Sequence, residues 1–210
     1  MVRDKNNSGN VFLLALMFFA SSTEAVIIDR IAAVVNGEVI TASEVEAMAK
    51  VNLNISGLPK NPDPLKARIE HHLAFHELSR FHPLVLEEED IQRALEQYQA
   101  KYGTQEKLVE FLSSIGMDYI ELTTEVHEQL TIRHAIEEKF RPFVNLTIDE
   151  AEEYYEKEYK PSLQILEREV PPFLEVFEEI QKLLLRSRIE DDVKKWLEEA
   201  RAKAVINIKE

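Results

Sequence analysis

The dipeptide Asn36-Gly37 lies between two short runs of branched apolar residues, at positions 27–35 and 38–40. Asn-Gly in this setting predicts a β-hairpin, because both central residues of its tight turn need positive φ. A third short strand is predicted at residues 205–208 (VINI), where the apolar residues alternate. An isolated hairpin is only marginally stable, so the three strands are expected to join in one small antiparallel sheet.

The chain between these strands has helical spacing and helical end signals. Capping boxes are predicted where Ser43 precedes Glu46 and where Thr147 precedes Glu150. A loop rich in turn residues separates the first two helices over 52–64. The predicted fold class is mainly α, a helical core with a small antiparallel sheet formed by the N-terminal hairpin and the C-terminal strand. Helices are predicted over residues 41–51, 65–80, 87–102, 105–114, 118–140, 147–159, 173–185 and 189–203.

The first 25 residues have the pattern of a cleaved secretory signal peptide. Arg3 and Lys5 give a basic start, positions 11–20 form an unbroken apolar run, and small residues lead up to Ala25. Ten apolar residues rise about 15 Å as a helix, roughly half of a bilayer's hydrocarbon core, so a membrane anchor is disfavoured. The chain has no cysteine. An exported protein without disulfides fits the bacterial periplasm, with no membrane span after cleavage.

Charge and motifs argue against several classes of protein. The formal net charge of −14 disfavours binding to nucleic acid and to anionic membrane surfaces, because both repel it. The sequence contains neither G-x-S-x-G nor a phosphate-binding glycine loop. His72 and His76 share a helix face but lack the H-E-x-x-H pattern of zinc enzymes, which favours a surface or interface role. We therefore predict no cofactor, no metal and no enzymatic activity.

Residues 29–41 (DRIAAVVNGEVIT), which run into Ser43-Glu44-Val45, resemble the opening of the SurA-type periplasmic chaperones. Residues 88–103 and 111–116, with the long helix that follows them, are similar to the helical core of that family. Residues 170–208 are similar to the C-terminal helix and strand of its members that lack an isomerase domain. The resemblance covers nearly all of the chain after the signal peptide.

This resemblance implies one chaperone domain over residues 26–210. Its parts are a core over 26–159, a short connection over 160–172 and a C-terminal segment over 173–210. The connection is far too short for the parvulin prolyl-isomerase domain of the fuller family members, since that module needs about a hundred residues.

The function that the resemblance implies is that of an ATP-independent periplasmic holdase, without prolyl-isomerase activity, whose clients are unfolded outer-membrane or secreted proteins. An adaptor of the cell envelope that binds one folded partner is the alternative. The short connection also favours a homodimer with swapped terminal elements, because short hinges invite swapping.

Client binding by a holdase needs apolar surface that stays open to solvent. Two regions are predicted to supply it, the loop after the first helix and the segment around the fourth helix. Methionine adapts to varied partners, and tyrosine offers both a ring and a hydroxyl. The alternative is that most of these residues belong to the core. The predicted client-binding residues are Leu53, Ile55, Leu58, Phe111, Leu112, Ile115, Met117 and Tyr119.

Overall fold

The computed structural model describes residues 29–81, 86–143 and 145–209. It confirms the predicted fold class, mainly α with a small three-stranded antiparallel sheet. The strands are β1 (Ile31–Val35), β2 (Glu38–Thr41) and β3 (Ile206–Ile208). The helices are α1 (Ala42–Val51), α2 (Pro64–Phe81), α3 (Glu88–Gln99), α4 (Gln105–Ser114), α5 (Tyr119–Phe140), α6 (Ile148–Tyr154), α7 (Lys160–Ile165) and α8 (Phe173–Lys203). A 3₁₀ turn follows α5 at Arg141–Phe143, and a π-helical turn at Tyr155–Tyr159 joins α6 to α7.

The sheet joins the two ends of the described chain, as the strand pattern predicts. Its order is β2-β1-β3, with β1 antiparallel to both neighbours. The hairpin turn has positive φ at Asn36 (51°) and at Gly37 (94°). Asn36 also fixes β3, because its N–H donates to the Val205 carbonyl and its Oδ1 accepts from the Val205 N–H, both at 2.9 Å. The turn residue therefore closes the hairpin and anchors the third strand.

The larger packing unit, which we call the body, contains the sheet, α1 to α5 and the second half of α8. Helix α5 is its centre, because it is buried on two sides. One side, which includes Val126 and Leu130, packs into a core shared with α1, α3 and α4. The other side, which includes Ile132 and Ile136, packs against α2 and α8. A helix with two buried sides has no single apolar stripe, so its end signals and its length are what predict it from the sequence.

Residues 148–184 form a second, smaller packing unit, which we call the arm. In it α6 and the π-helical turn lie against the first half of α8, and α7 continues from that turn. Its core consists of Ala151, Tyr155, Val176 and Ile180. The 31 residues of α8 correspond to a length of about 46 Å, and its second half packs on α2 and α5. One helix therefore connects the arm to the body.

The first capping box is not where the sequence pattern puts it. Thr41, not Ser43, caps α1: its Oγ1 accepts from the Glu44 N–H at 3.3 Å, and Glu44 accepts from the Thr41 N–H at 3.4 Å. A cap residue needs extended backbone, and Thr41 has it at the end of β2 (φ −93°, ψ 161°). Ser43 already lies in the first helical turn, where its hydroxyl donates to Asp29. The box at Thr147 and Glu150 is confirmed.

The prediction of two helices over 173–185 and 189–203 is wrong, since α8 is unbroken from Phe173 to Lys203. The apparent break is a change of packing partner. Buried residues stop at Ile180 and resume at Val193, where α8 passes from the arm to the body. The segment between them contains neither glycine nor proline, so nothing in it interrupts the helix.

The first part of the predicted connection over 160–172 is helical, since α7 occupies Lys160–Ile165. Pro161 suggests a helix end, because proline lacks the N–H that an interior position donates. The wider π-helical turn just before it changes the hydrogen-bond pattern there, and α7 continues to Ile165. Five of the other predicted helices agree with the structure to within three residues at each end, and the predicted helix over 147–159 corresponds to α6 together with the π-helical turn. The predicted signal peptide over 1–25 lies outside the described residues, and no helix within them is long and apolar enough to cross a bilayer.

Candidate binding groove

A groove of about 1080 Å³ lies where the arm leaves the body. One wall is the loop at residues 54–60, another is the C-terminal half of α5, and the third is the middle of α8. On α8, the lining residues Lys182, Leu185, Arg186 and Ile189 recur at helical spacing and share one face. The groove thus forms between three elements that are far apart in sequence.

The loop wall is held in place by backbone geometry and by one contact to α5. Asn52, Asn54 and Gly57 take positive φ, a conformation that asparagine and glycine accept more readily than other residues. The N–H of Ile55 donates to Oε1 of Gln129 at 2.8 Å, which fixes the loop against α5. This contact fixes the position of the loop's apolar side chains relative to α5.

The apolar part of the lining extends the body's core towards solvent. Ile136 is buried in the core shared by α2, α5 and α8, and Leu58 and Ile189 pack against that core. These two side chains are half-buried, as are the other apolar lining residues except Ile136. The apolar lining residues are Ile55, Leu58, Pro59, Ile136, Leu185 and Ile189.

The charged part of the lining is strongly biased towards cations. Six cationic side chains face three carboxylates, although the chain as a whole has a net charge of −14. Within the described part of the chain, none of the six forms an ion pair with a carboxylate. The cations are Lys60, Arg133, Arg141, Lys182, Arg186 and Lys194, and the carboxylates belong to Glu137, Glu190 and Asp191.

The structure separates the two sets of predicted client-binding residues. Ile55 and Leu58 line the groove, whereas Leu53, next to them, is buried with 8% of its surface exposed. The second set packs between α3, α4 and α5 instead. Leu112 and Met117 belong to the core there, and the partly buried members packed against it are Phe111, Ile115 and Tyr119. Of the predicted set, only Ile55 and Leu58 therefore contribute to the groove.

The α8 side of the groove is missing from the predicted set. The sequence contains a signal for it, since Lys182, Arg186, Ile189 and Lys194 share a helix face. A predicted break between two helices at residues 186–188 hides that signal, because it divides the face between two separate elements.

A buried charge cluster lies between α1, α2 and α5, beside the loop wall. Arg68 is its centre: Nε donates to Oε1 of Glu44 at 2.6 Å, and one terminal nitrogen donates to Oε2 of Glu125 at 2.8 Å. That nitrogen also lies 2.9 Å from Nδ1 of His71. The His71 ring is placed between Glu125 and Glu128, at 3.4 and 3.8 Å. Sequence reasoning missed this cluster, although Arg68 and His71 are three residues apart on one helix, as are Glu125 and Glu128 on another.

His71, Glu125 and Glu128 have ligand atoms close enough together to hold a metal ion. Arg68 already supplies the positive charge that a metal would bring. A guanidinium is only a donor, so Nδ1 of His71 accepts from it and the neutral ring then carries its proton on Nε2. A metal would have to displace Arg68 or take a nitrogen that is protonated. The arrangement therefore fits an internal ion network better than a metal site.

Burial moves the pKa values of two members of the cluster in opposite directions. It lowers the pKa of His71 from its ordinary 6.5 to about 4. It raises the pKa of Glu128 from its ordinary 4.5 to about 7, with Glu125, Glu44 and Glu38 adding repulsion that Arg68 partly offsets. At neutral pH the cluster therefore contains a neutral histidine and a carboxylate that is costly to ionise.

Glu128→Gln is expected to stabilise the protein at pH 8 by about 1 to 2 kcal/mol. Protonated Glu128 contributes stability that is complete below pH 4.5 and is lost as the pH rises through 7, because the pKa of the folded state is the higher one. The advantage of the variant should therefore disappear near pH 4.5. His71 acts in the opposite direction, since its lowered pKa costs stability as the pH falls from 6.5 to 4.

The measurement is urea unfolding of both proteins at pH 8 and pH 4.5, followed by the fluorescence of Trp196, the single tryptophan. Glu137→Gln, a change at an exposed position of the same helix, is the control. An advantage of Glu128→Gln that is equal at both pH values would contradict the assignment of the raised pKa to this carboxyl.

No protein-family model matches this chain, and no curated protein matches it. The resemblance of residues 29–41 to the SurA-type chaperones stays a prediction for that reason. The groove and the elements that form it are therefore the basis for a proposed function.

Proposed function

We propose that this protein is an ATP-independent periplasmic chaperone that holds unfolded polypeptides in the groove between the loop at 54–60, α5 and α8. The observation that carries the proposal is the open apolar lining of that groove. Folded proteins bury such side chains, whereas unfolded ones expose them, so half-buried apolar residues in a wide groove favour unfolded clients.

The form of the groove favours binding over catalysis. Its volume is at the upper end of the range for small-molecule pockets, and its lining mixes apolar and charged residues. Its lining residues include no histidine. Of its two serines, Ser56 is buried and its hydroxyl oxygen accepts from the Leu58 N–H, and Ser187 is exposed at the surface of α8. Binding through several weak apolar contacts needs no nucleotide and can be released by client folding. We expect outer-membrane proteins, which cross the periplasm unfolded, as the principal clients.

The test is suppression of aggregation of a denatured outer-membrane β-barrel protein diluted into buffer with residues 26–210 of the chain. Wild type is expected to suppress aggregation at a few-fold molar excess, with no prolyl-isomerase activity in a parallel assay. Leu185→Gln should weaken the suppression several-fold, because Leu185 lines the groove and belongs to none of the packed cores.

The matched control is Leu183→Gln, two residues away on the same helix. Leu183 is 43% exposed and does not line the groove. If both variants lose suppression of aggregation equally, the groove is not the client-binding site. If wild type does not suppress aggregation, the protein is not a general holdase.

A role as an adaptor for one folded partner is favoured by a different surface. The far end of the arm exposes Ile165, Leu166 and Leu174 at 82%, 61% and 85%. Large aliphatic side chains with this much exposure are candidates for protein contacts. Saturable binding of one folded envelope protein, lost in Ile165→Ser/Leu174→Ser and kept in Leu185→Gln, would support this function. Light scattering on the same variants tests the predicted homodimer, whose mass would be twice that of the chain.

A further inference from the structure

The unpaired cations of the groove determine which polypeptides it accepts. We infer that the groove selects acidic segments of unfolded polypeptides, in which carboxylates lie next to apolar side chains, over apolar segments in general. This inference rests on the proposed function, because it assigns a class of client to the same groove.

The basic residues of the groove differ from basic residues elsewhere in the protein. Many of the latter have a carboxylate within 4 Å, as in the exposed pairs Lys66–Asp63, Arg93–Asp90, Lys157–Glu153, Lys160–Glu156, Lys195–Asp192, Arg188–Glu150 and Arg201–Glu70. The chain has 39 acidic and 25 basic residues, so carboxylates are in excess. Six cations without such a partner, gathered around one groove, are therefore not needed to balance the charge of the fold.

The position of these cations suits a peptide that lies along the groove. On α8, Lys182 and Arg186 flank the half-buried Leu185, and Lys194 continues the same face. On the opposite wall, Arg133 and Arg141 flank Ile136. On both walls, cationic side chains thus flank an apolar one, which suits a segment in which acidic side chains flank an apolar one.

The preference depends on the local charge of the groove. The net charge of −14 repels acidic chains over most of the surface, but salt screens that repulsion beyond about 8 Å, so the groove's cations act on a segment that has reached them. Apolar walls lower the local dielectric and strengthen each charge pair relative to water. Each carboxylate is expected to increase affinity about twofold to fivefold, and salt should reduce that gain.

The same cations do not fit a nucleic acid well. Glu137, Glu190 and Asp191 lie among them and would face the phosphates of a regular backbone. The net charge of the whole chain opposes the approach of any polyanion as long as an oligonucleotide. A short segment with separated carboxylates avoids both penalties.

The experiment is fluorescence anisotropy with three labelled peptides of equal length and identical apolar residues. Four positions contain Glu in the first peptide, Gln in the second and Lys in the third. Since four gains of at least about twofold multiply, the Glu peptide is expected to bind at least about 16-fold tighter than the Gln peptide. The Lys peptide should bind weakest, and the differences should shrink in about 0.5 M salt. Equal affinity for all three would overturn the inference and leave the proposed function standing. Absence of binding by every peptide would count against both.

Lys182→Glu/Arg186→Glu should abolish the preference for the Glu peptide, since both side chains are exposed and neither has a structural partner among the described residues. Lys107→Glu/Arg168→Glu is the matched control: it makes the same change in net charge at exposed positions outside the groove and should retain the preference. Equal loss in both variants would assign the preference to overall charge and overturn the inference. Tighter binding of a single-stranded oligonucleotide than of the Glu peptide would overturn it in favour of nucleic acid.

Discussion

Arg68→Met is expected to destabilise the protein by about 3 to 5 kcal/mol, a large part of the 5 to 15 kcal/mol that holds a domain together. The guanidinium is 13% exposed and donates to Glu44 and Glu125. Its removal leaves the Glu125 carboxylate, which is only 5% exposed, without the cation that offsets its desolvation. The measurement is the free energy of unfolding in urea at pH 7.

Two variants control this result. Lys66→Met, on the same helix, breaks an exposed ion pair with Asp63 and should cost less than about 1 kcal/mol. Arg68→Met/Glu125→Gln removes both charges and should recover part of the loss, which gives the coupling between the two residues. If the double variant is as unstable as the sum of its two single variants, the ion pair is not the cause.

Ile180→Ala is expected to destabilise the arm by about 2 to 4 kcal/mol and the body by much less. Ile180 is completely buried in the small core that α6 shares with α8. That core has few other fully buried side chains, so it has little capacity to compensate for a cavity. The amides of α6 should then exchange with solvent about 30- to 1000-fold faster, because local opening costs less free energy.

Hydrogen exchange measured segment by segment, together with Trp196 fluorescence, separates arm from body. Trp196 packs against Phe140 in the body, with ring centroids 6.1 Å apart. The unfolding midpoint measured by Trp196 fluorescence should change little in Ile180→Ala. It should change strongly in Leu130→Ala, because Leu130 lies in the large core around α5. A midpoint that moves equally in both variants would mean that arm and body unfold as one unit.

The elements that could be predicted from the sequence are those whose causes are local. Asn36-Gly37 determines its own turn, and Thr147 with Glu150 determines its own helix start. The predicted break in α8 is wrong because distant partners decide there, since the buried face of that helix passes from the arm to the body. Pro161 is a local signal of a helix end, but the wider turn before it allows the helix to continue.

The groove and the charge cluster were only partly predictable for the same reason. Ile55 and Leu58 stood out as apolar residues in a loop of turn formers. Nothing in the sequence says that α5 and α8 lie beside that loop. The role of His71 is not evident from the sequence, because its burial and its contacts with Arg68 and Glu125 appear only in the folded structure.

The pairing of β1 with β3 also has a consequence for the order of folding. Asn36 and Val205, which bond to each other, are 169 residues apart in the chain. Closing a loop of that length costs conformational entropy that a local hairpin does not pay, and the cost grows with the logarithm of length. We therefore expect the hairpin of β1 and β2 to form early and β3 to join it late. Until then one edge of β1 is open, and this interval is when the chain is most exposed to pairing with another copy.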